Sequence, residues 1–230
     1  MSLRPIKIIK NYLPQAEGSC LISMGNTTVL CAASVESKVP AFIENEGLTH
    51  GWVTAEYSML PRSGSRRTPR HRGAGGGRSQ EISRLIGRSL RGIVDLEKLG
   101  KRAIILDCDV IKSDGGTRTT SINGAFIALY MALRKLKREG VIDCIPIKEH
   151  IGAISVGIVK GEKVVDLCAQ EDNGADVDMN LVMTDSGKII EIQGTSEKVP
   201  FSRADLNALI NMGQKAIKKI IKCQKKVLGK

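Results

Sequence analysis

AIILDCDVIKSDGGTRTTSINGAFIALYMALRKLKR, residues Ala103 to Arg138, is the stretch whose reading decides the fold. From Ala103 to Ile111 it alternates like a strand, with Ile104, Leu106, Cys108 and Val110 on one face and Asp107 and Asp109 on the other. A glycine turn follows, Ser113-Asp114-Gly115-Gly116-Thr117-Arg118. Beyond it Ile122, Ala125, Phe126, Leu129, Leu133 and Leu136 recur at helical spacing, and Arg134, Lys135, Lys137 and Arg138 end the polar face. Paired glycines let the backbone come close to a bound group, and the N–H groups of a helix start attract anions. Arg118 adds a fork of donors matched to phosphate oxygens. The turn reads as an oxyanion seat. On its own, GGTR also fits a plain connector whose arginine is solvated. A P-loop is excluded, because no Gly-Lys-Ser/Thr follows at the required spacing.

Working outward, 230 residues suffice for one large domain or two small ones. No apolar run approaches the ~18 residues of a membrane span, and Met1 to Lys7 lacks a signal-peptide core, so a cytoplasmic protein with no membrane partner is expected. Six cysteines (Cys20, Cys31, Cys108, Cys144, Cys168 and Cys223) form no CxxC pair, and they read as reduced core residues rather than disulfides or zinc ligands. A net charge of +11 points to a polyanionic partner. Aromatic residues make up only 3%, so the grip on a nucleic acid would come from phosphate contacts rather than base stacking.

Strands are expected at Ile6 to Leu13, Cys20 to Ser23, Thr27 to Val35 and Trp52 to Met59, with Gly25-Asn26 as a tight hairpin turn and Val39 to His50 as a loop. Pro61 to Gly77 then holds Arg62, Arg66, Arg67, Arg70 and Arg72 and no acidic residue; it reads as a mobile surface loop that serves as a nucleic-acid arm. Arg78-Ser79 opens a helix with Ser79 as its N-cap and Ile82, Leu85, Ile86, Leu90, Ile93 and Val94 as its buried stripe. Arg78, beside the helix start, is a second candidate phosphate ligand. Four strands in a meander follow, near Ile151 to Val159, Lys163 to Ala169, Asp176 to Thr184 and Lys188 to Thr195. The chain closes on an amphipathic helix from Arg203 to about Leu228, its lysines a solvated face.

An acid-rich segment, Glu171-Asp172-Asn173-Gly174-Ala175-Asp176-Val177-Asp178-Met179-Asn180, lies between the second and third of those strands. Extended, it puts Asp176, Asp178 and Asn180 on one face, and the next strand adds Glu191 and Gln193. Such crowding raises carboxyl pKa values or recruits a divalent cation. An acidic turn beside an exposed strand is the plainer alternative. The spacing excludes an EF-hand. A phosphate seat, a basic loop and a carboxylate group together suggest phosphoryl transfer on a polynucleotide.

At this point a resemblance covers nearly the whole chain. It runs through Ala16 to Ser19 (AEGS), Gly51 to Tyr57 (GWVTAEY), Met59 to Arg62 (MLPR), Glu81 to Arg91 (EISRLIGRSLR), Asp107 to Val110 (DCDV), Asp114 to Thr119 (DGGTRT), Glu171-Asp172, Val177 to Asn180 (VDMN) and Glu191 to Thr195 (EIQGT). The chain resembles the RNase PH family, phosphate-dependent 3′→5′ exoribonucleases that trim tRNA 3′ ends. The resemblance implies an α+β fold: a single βαβ-type domain over residues 1–230, with mixed and antiparallel sheets and packed helices. By position, Arg78, Gly116, Thr117 and Arg118 resemble the family's phosphate-binding residues. Asp172 and Asp178 resemble its catalytic carboxylates, with Mg²⁺ expected on them, and Arg62, Arg67 and Arg70 match the arginines that hold tRNA. A homo-hexamer, a trimer of dimers, is implied as well. Two departures stand out: the chain starts close to the family's Arg-Pro motif, and Cys168-Ala169-Gln170 replaces a more usual acidic or aromatic stretch.

The expected activity is phosphorolysis of precursor tRNA, with inorganic phosphate as co-substrate and nucleoside diphosphates as products. Two other classes compete. A hydrolytic metal-dependent nuclease would need the carboxylates but no arginine-lined seat. A non-catalytic ring subunit of exosome type would bind RNA but lack the GGTR arginine or the paired aspartates.

Overall fold

The structure is a computed structural model, and it describes residues 3–70 and 76–229. Sheet one holds β1 (Ile6–Lys10), β2 (Gly18–Met24) and β3 (Thr27–Glu36), followed after the short helix α1 (Ala41–Asn45) by β4 (Trp52–Met59). Gly25, with φ of 57°, and Asn26 make the two-residue turn that sets Met24 opposite Thr27. Helices α2 (Gly77–Arg91) and α3 (Leu96–Leu99) then carry the chain to β5 (Ala103–Lys112). Such a crossover allows β4 and β5 to run parallel, while every other pair in the order β1-β2-β3-β5-β4 is antiparallel.

The inner face of β5 buries Ile104, Leu106, Cys108 and Val110, as its alternation requires. On that face lies α4 (Thr117–Arg138), and the second sheet covers its far side. That sheet contains β6 (Ile151–Val159), β7 (Glu162–Val165), β8 (Val177–Thr184) and β9 (Ile189–Ser196), with α5 (Ala169–Gly174) between β7 and β8. Two layers on one helix explain why even Thr119, Thr120, Ser121 and Asn123 are buried. Asn123 fastens the layers: its amide donates to the Ala153 carbonyl and accepts from the Ala153 N–H, both at 2.8 Å. Finally α6 (Arg203–Leu228) lays Leu209, Ile217, Ile220 and Ile221 on the second sheet, its start closed by a Ser202/Asp205 capping box.

Four expectations change. The second sheet is not a meander: its order is β7-β6-β8-β9, because α5 lifts the chain across β6 before β8 pairs. Val39 to His50 is not all loop; Pro40 starts α1, which buries Ile43. Ser79 is not the N-cap of α2, since the helix begins at Gly77 with extended Gly76 ahead of it, and Ser79 is buried within the first turn. Among the cysteines, all free, Cys20, Cys31 and Cys108 are buried, but Cys144 is exposed because it lies on the outer side of a turn whose inward residue is Ile142. Among the described residues, no helix is long and apolar enough to cross a membrane.

Candidate active site

The seat is built where β5 turns into α4. Gly115 and Gly116 have φ of 72° and 63°, left-handed values that a side chain would strain. Space forbids one too: a Cβ on Gly115 would stand 2.4 Å from the Leu167 carbonyl oxygen. Gly116 is the N-cap of α4, so the first-turn N–H groups and Arg118 leave the helix together. Thr117 is held from behind, its hydroxyl accepting from Tyr57 Oη at 2.9 Å. One arm of Arg118 reaches Glu81 at 3.4 Å, while its buried Nε has no partner among the described residues. Arg78, in the first turn of α2, is exposed at the same mouth.

The opposite wall comes from the second sheet. Asp172 and Asn173 stand on α5, Asp178 and Asn180 on β8, and Thr195 on β9 opposite Asp178. These residues, together with Arg78, Ser113, Gly115 to Arg118, Ser155 and Glu197, enclose one cavity of about 430 Å³. Asp178 is half-buried at its floor. Burial, aided by the charge of Asp172, pushes its carboxyl up to about 6, while Arg118 and Arg78 pull the other way. Six predicted residues, Arg78, Gly116, Thr117, Arg118, Asp172 and Asp178, therefore meet in one place, although as many as 100 positions separate Arg78 from Asp178.

Two family models match the chain. The model described as "3′ exoribonuclease family, domain 1" matches residues 2–135, and "3′ exoribonuclease family, domain 2" matches residues 150–216. The chain belongs to the 3′ exoribonuclease family. Ribonuclease PH of Neisseria meningitidis serogroup C is 54% identical over 230 residues, 99% of this chain and 94% of that protein. Ribonuclease PH of Neisseria gonorrhoeae is 53% identical over the same extent. Among solved structures, rice (Oryza sativa) Rrp46 superposes with a TM-score of 0.79 at 22% identity, covering 99% of this chain and 96% of that one. The Archaeoglobus fulgidus exosome with RNA bound to its active site gives 0.79 at 20%, covering 96% and 88%. At such identities the structural likeness speaks for the fold alone.

Some expected neighbours of this exoribonuclease-family cavity lie elsewhere. Asp176 precedes β8 and pairs with Lys198 at 3.2 Å, which leaves it outside the cavity. Glu191 sits opposite Val182, toward the other end of the hairpin, where Arg88 grips it in a fork at 2.9 and 2.8 Å. Glu171 and Asp172 are helical rather than extended. Arg62, Arg67 and Arg70 are exposed and do not line the cavity; Arg62 donates to the Ser65 carbonyl at 3.0 Å. Arg72 lies outside the described residues.

Sequence reading missed the layer behind the seat. Arg4 donates to the Asp114 carbonyl at 2.6 Å and to buried Asp166 at 2.6 Å, and its own N–H donates to the other Asp166 oxygen at 2.9 Å. Burial works against the Arg4 charge, but the bond and charge of Asp166 outweigh it and raise its pKa. The one available hint was a lone aspartate after the apolar pair Val164-Val165.

The expected Mg²⁺ can be checked against the donors present. Among the described residues, no cluster of three or more His, Cys, Asp or Glu offers a full protein cage. Two carboxylates beside an anion seat are nevertheless what Mg²⁺ uses when waters and substrate phosphates complete its octahedron. Asp172 and Asp178 fit that role.

Proposed function

We propose that this cavity binds inorganic phosphate against Arg78, Arg118 and the Gly116/Thr117 backbone, and turns it on the last phosphodiester of an RNA 3′ end. Family membership and relatives called ribonuclease PH at 54% identity establish the class: a phosphorolytic 3′→5′ exoribonuclease active in tRNA processing. A phosphate oxygen attacks phosphorus, the bond to the preceding nucleotide's 3′ oxygen breaks, and that oxygen takes a proton. The products are RNA one nucleotide shorter and a nucleoside diphosphate.

The difficulty is electrostatic. Two like charges ~4 Å apart repel by about 4 kcal/mol at an effective dielectric near 20. Two arginines and fixed backbone dipoles at the point of approach offset that repulsion and aim the nucleophile. Asp172 and Asp178 face the other side of the same space. Asp178, deeper and with the raised pKa, is the better placed to protonate the departing oxygen. Asp172, and Asp178 in its ionised form, would hold Mg²⁺, which when bound supplies positive charge to the converging phosphates.

The observation that carries this reading is the convergence of Arg78, Arg118, Asp172 and Asp178 on one cavity. A hydrolytic nuclease has no use for the arginine-lined side, and a non-catalytic ring subunit has no use for both halves. The reading extends to Arg62, Arg67 and Arg70 as holders of the tRNA body, to both sheets acting as one unit across α4, to a homo-hexamer built as a trimer of dimers, and to work in the cytoplasm.

Arg118→Ala tests it. The substitution should abolish phosphate use and leave RNA binding nearly intact, since Arg118 meets the small anion and not the polymer. RNA affinity falling as far as phosphate use would remove Arg118 from the seat.

A further inference from the structure

The Gly115-Gly116 turn is held open by residues that never reach the cavity. Three successive peptide carbonyls are tied back into the protein. The Asp114 carbonyl accepts from Arg4 Nη1 at 2.6 Å, and the Gly115 carbonyl accepts from Thr27 Oγ1 at 2.6 Å. The Gly116 carbonyl accepts from Thr120 N–H and Oγ1 at 3.0 and 2.8 Å and from Thr119 Oγ1 at 3.1 Å. In a planar trans peptide the C=O and N–H point in opposite directions. Fixing these carbonyls on the protein side therefore turns the next N–H groups, those of Gly115, Gly116 and Thr117, the other way. None of the three has an acceptor among the described residues, and all three residues line the cavity. Left-handed Gly116 followed by helical Thr117 makes the mixed-hand turn whose successive N–H groups form a concave nest that binds anions.

The ties are themselves braced. Thr27 is fully buried, and its single hydroxyl is saturated: it accepts from the Asp114 N–H at 2.9 Å while donating to Gly115. Arg4 is locked by Asp166, whose side chain is wholly buried. Asp166 itself has φ of 63°, a strained value for a residue with a side chain, and its N–H is anchored on the Ser155 carbonyl at 2.7 Å. A Cβ on Gly116 would come within 3.1 Å of the Arg4 guanidinium, so the brace stands directly behind the seat.

We propose that Thr27 and the Arg4–Asp166 pair are positioning residues for the phosphate nucleophile: they aim the Gly115–Thr117 N–H groups into the cavity without touching the anion. This rests on the phosphorolytic reading above. Pre-aimed donors act on the small anion alone, so they should govern phosphate affinity and leave the RNA track untouched.

Thr27→Val keeps the shape and removes the hydroxyl; Thr27→Ser keeps the hydroxyl. Arg4→Lys keeps a charge for Asp166 and loses the fork to Asp114. Phosphate binding is measured by calorimetry on the full-length protein, alongside KM for phosphate, KM for RNA, kcat and thermal melting. Thr27→Val and Arg4→Lys should each weaken phosphate binding and raise its KM about tenfold, with KM for RNA unchanged and Thr27→Ser close to wild type. Folded Thr27→Val with wild-type phosphate affinity would overturn the proposal, as would equal losses for phosphate and RNA. If Thr27→Val does not fold, Arg4→Lys decides by the same criteria. A wild-type protein that binds no phosphate and releases nucleoside monophosphates would instead refute the phosphorolytic reading itself, and that result is distinct from either outcome.

Discussion

At Asp178 burial and neighbouring charge act together on a carboxyl of the cavity. Its carboxyl rises from 3.8 to about 6, so the fold favours the protonated form. The sign follows from linkage: stability from this group is complete below about pH 4 and is lost as pH rises through about 6. Asp178→Asn mimics the protonated shape, so in the presence of a chelator its melting temperature should overtake wild type increasingly between about pH 4 and pH 6 and hold a steady lead above that. The same change should lower kcat by ~10² or more. Wild-type turnover at saturating phosphate and Mg²⁺, measured by single-turnover kinetics, would make the acidic floor structural. Arg78, Arg118 and the acid-rich segment were legible in the sequence because charge and glycine stand out against apolar periodicity, whereas the choice of Asp172 and Asp178 within that segment came from the family resemblance. Arg4 and Thr27 were not, because their roles depend on bonds across 162 and 88 positions, and a threonine at a hairpin end looks like any strand residue.

At the scale of elements, legibility followed periodicity. Trp52–Met59, Ile151–Val159 and Arg203–Leu228 lie where alternation or helical spacing places them. Strand order did not follow, since alternation fixes which face is buried but not which neighbour pairs, and the crossover through α5 is local only in hindsight. That crossover has a consequence for the site, because it lifts Asp172 over the end of β6 toward the glycine turn; Asp114 accepts from the Ala169 N–H at 3.2 Å and ties the two together. The joint between the layers is Asn123. Asn123→Ala leaves the Ala153 N–H and carbonyl buried without partners, and should cost about 2–4 kcal/mol in urea unfolding. A loss under about 0.5 kcal/mol would mean that packing alone holds α4 to β6.

Over the whole molecule, charge and chemistry are separated. The cavity sits between the two sheets at the start of α4, whereas Arg62, Arg67 and Arg70 are exposed away from its lining. In the proposed reading they meet the phosphates of a folded tRNA while its 3′ end enters the cavity. Replacing all three by alanine should flatten the slope of log K against log salt by about two to three for precursor tRNA, and barely change cleavage of a short unstructured oligonucleotide. Equal losses on both substrates would place the loop in the catalytic track. The net charge of +11 foretold a polyanion, but only the fold separates the arginines that line the cavity from those that do not. The central claim is that inorganic phosphate, not water, is the nucleophile, and isotope transfer tests it most directly. With radiolabelled inorganic phosphate and 3′-extended tRNA, the label should appear as the β-phosphate of released nucleoside diphosphates, and no nucleotide should be released when phosphate is left out. Unlabelled monophosphates released in phosphate-free buffer would contradict the account.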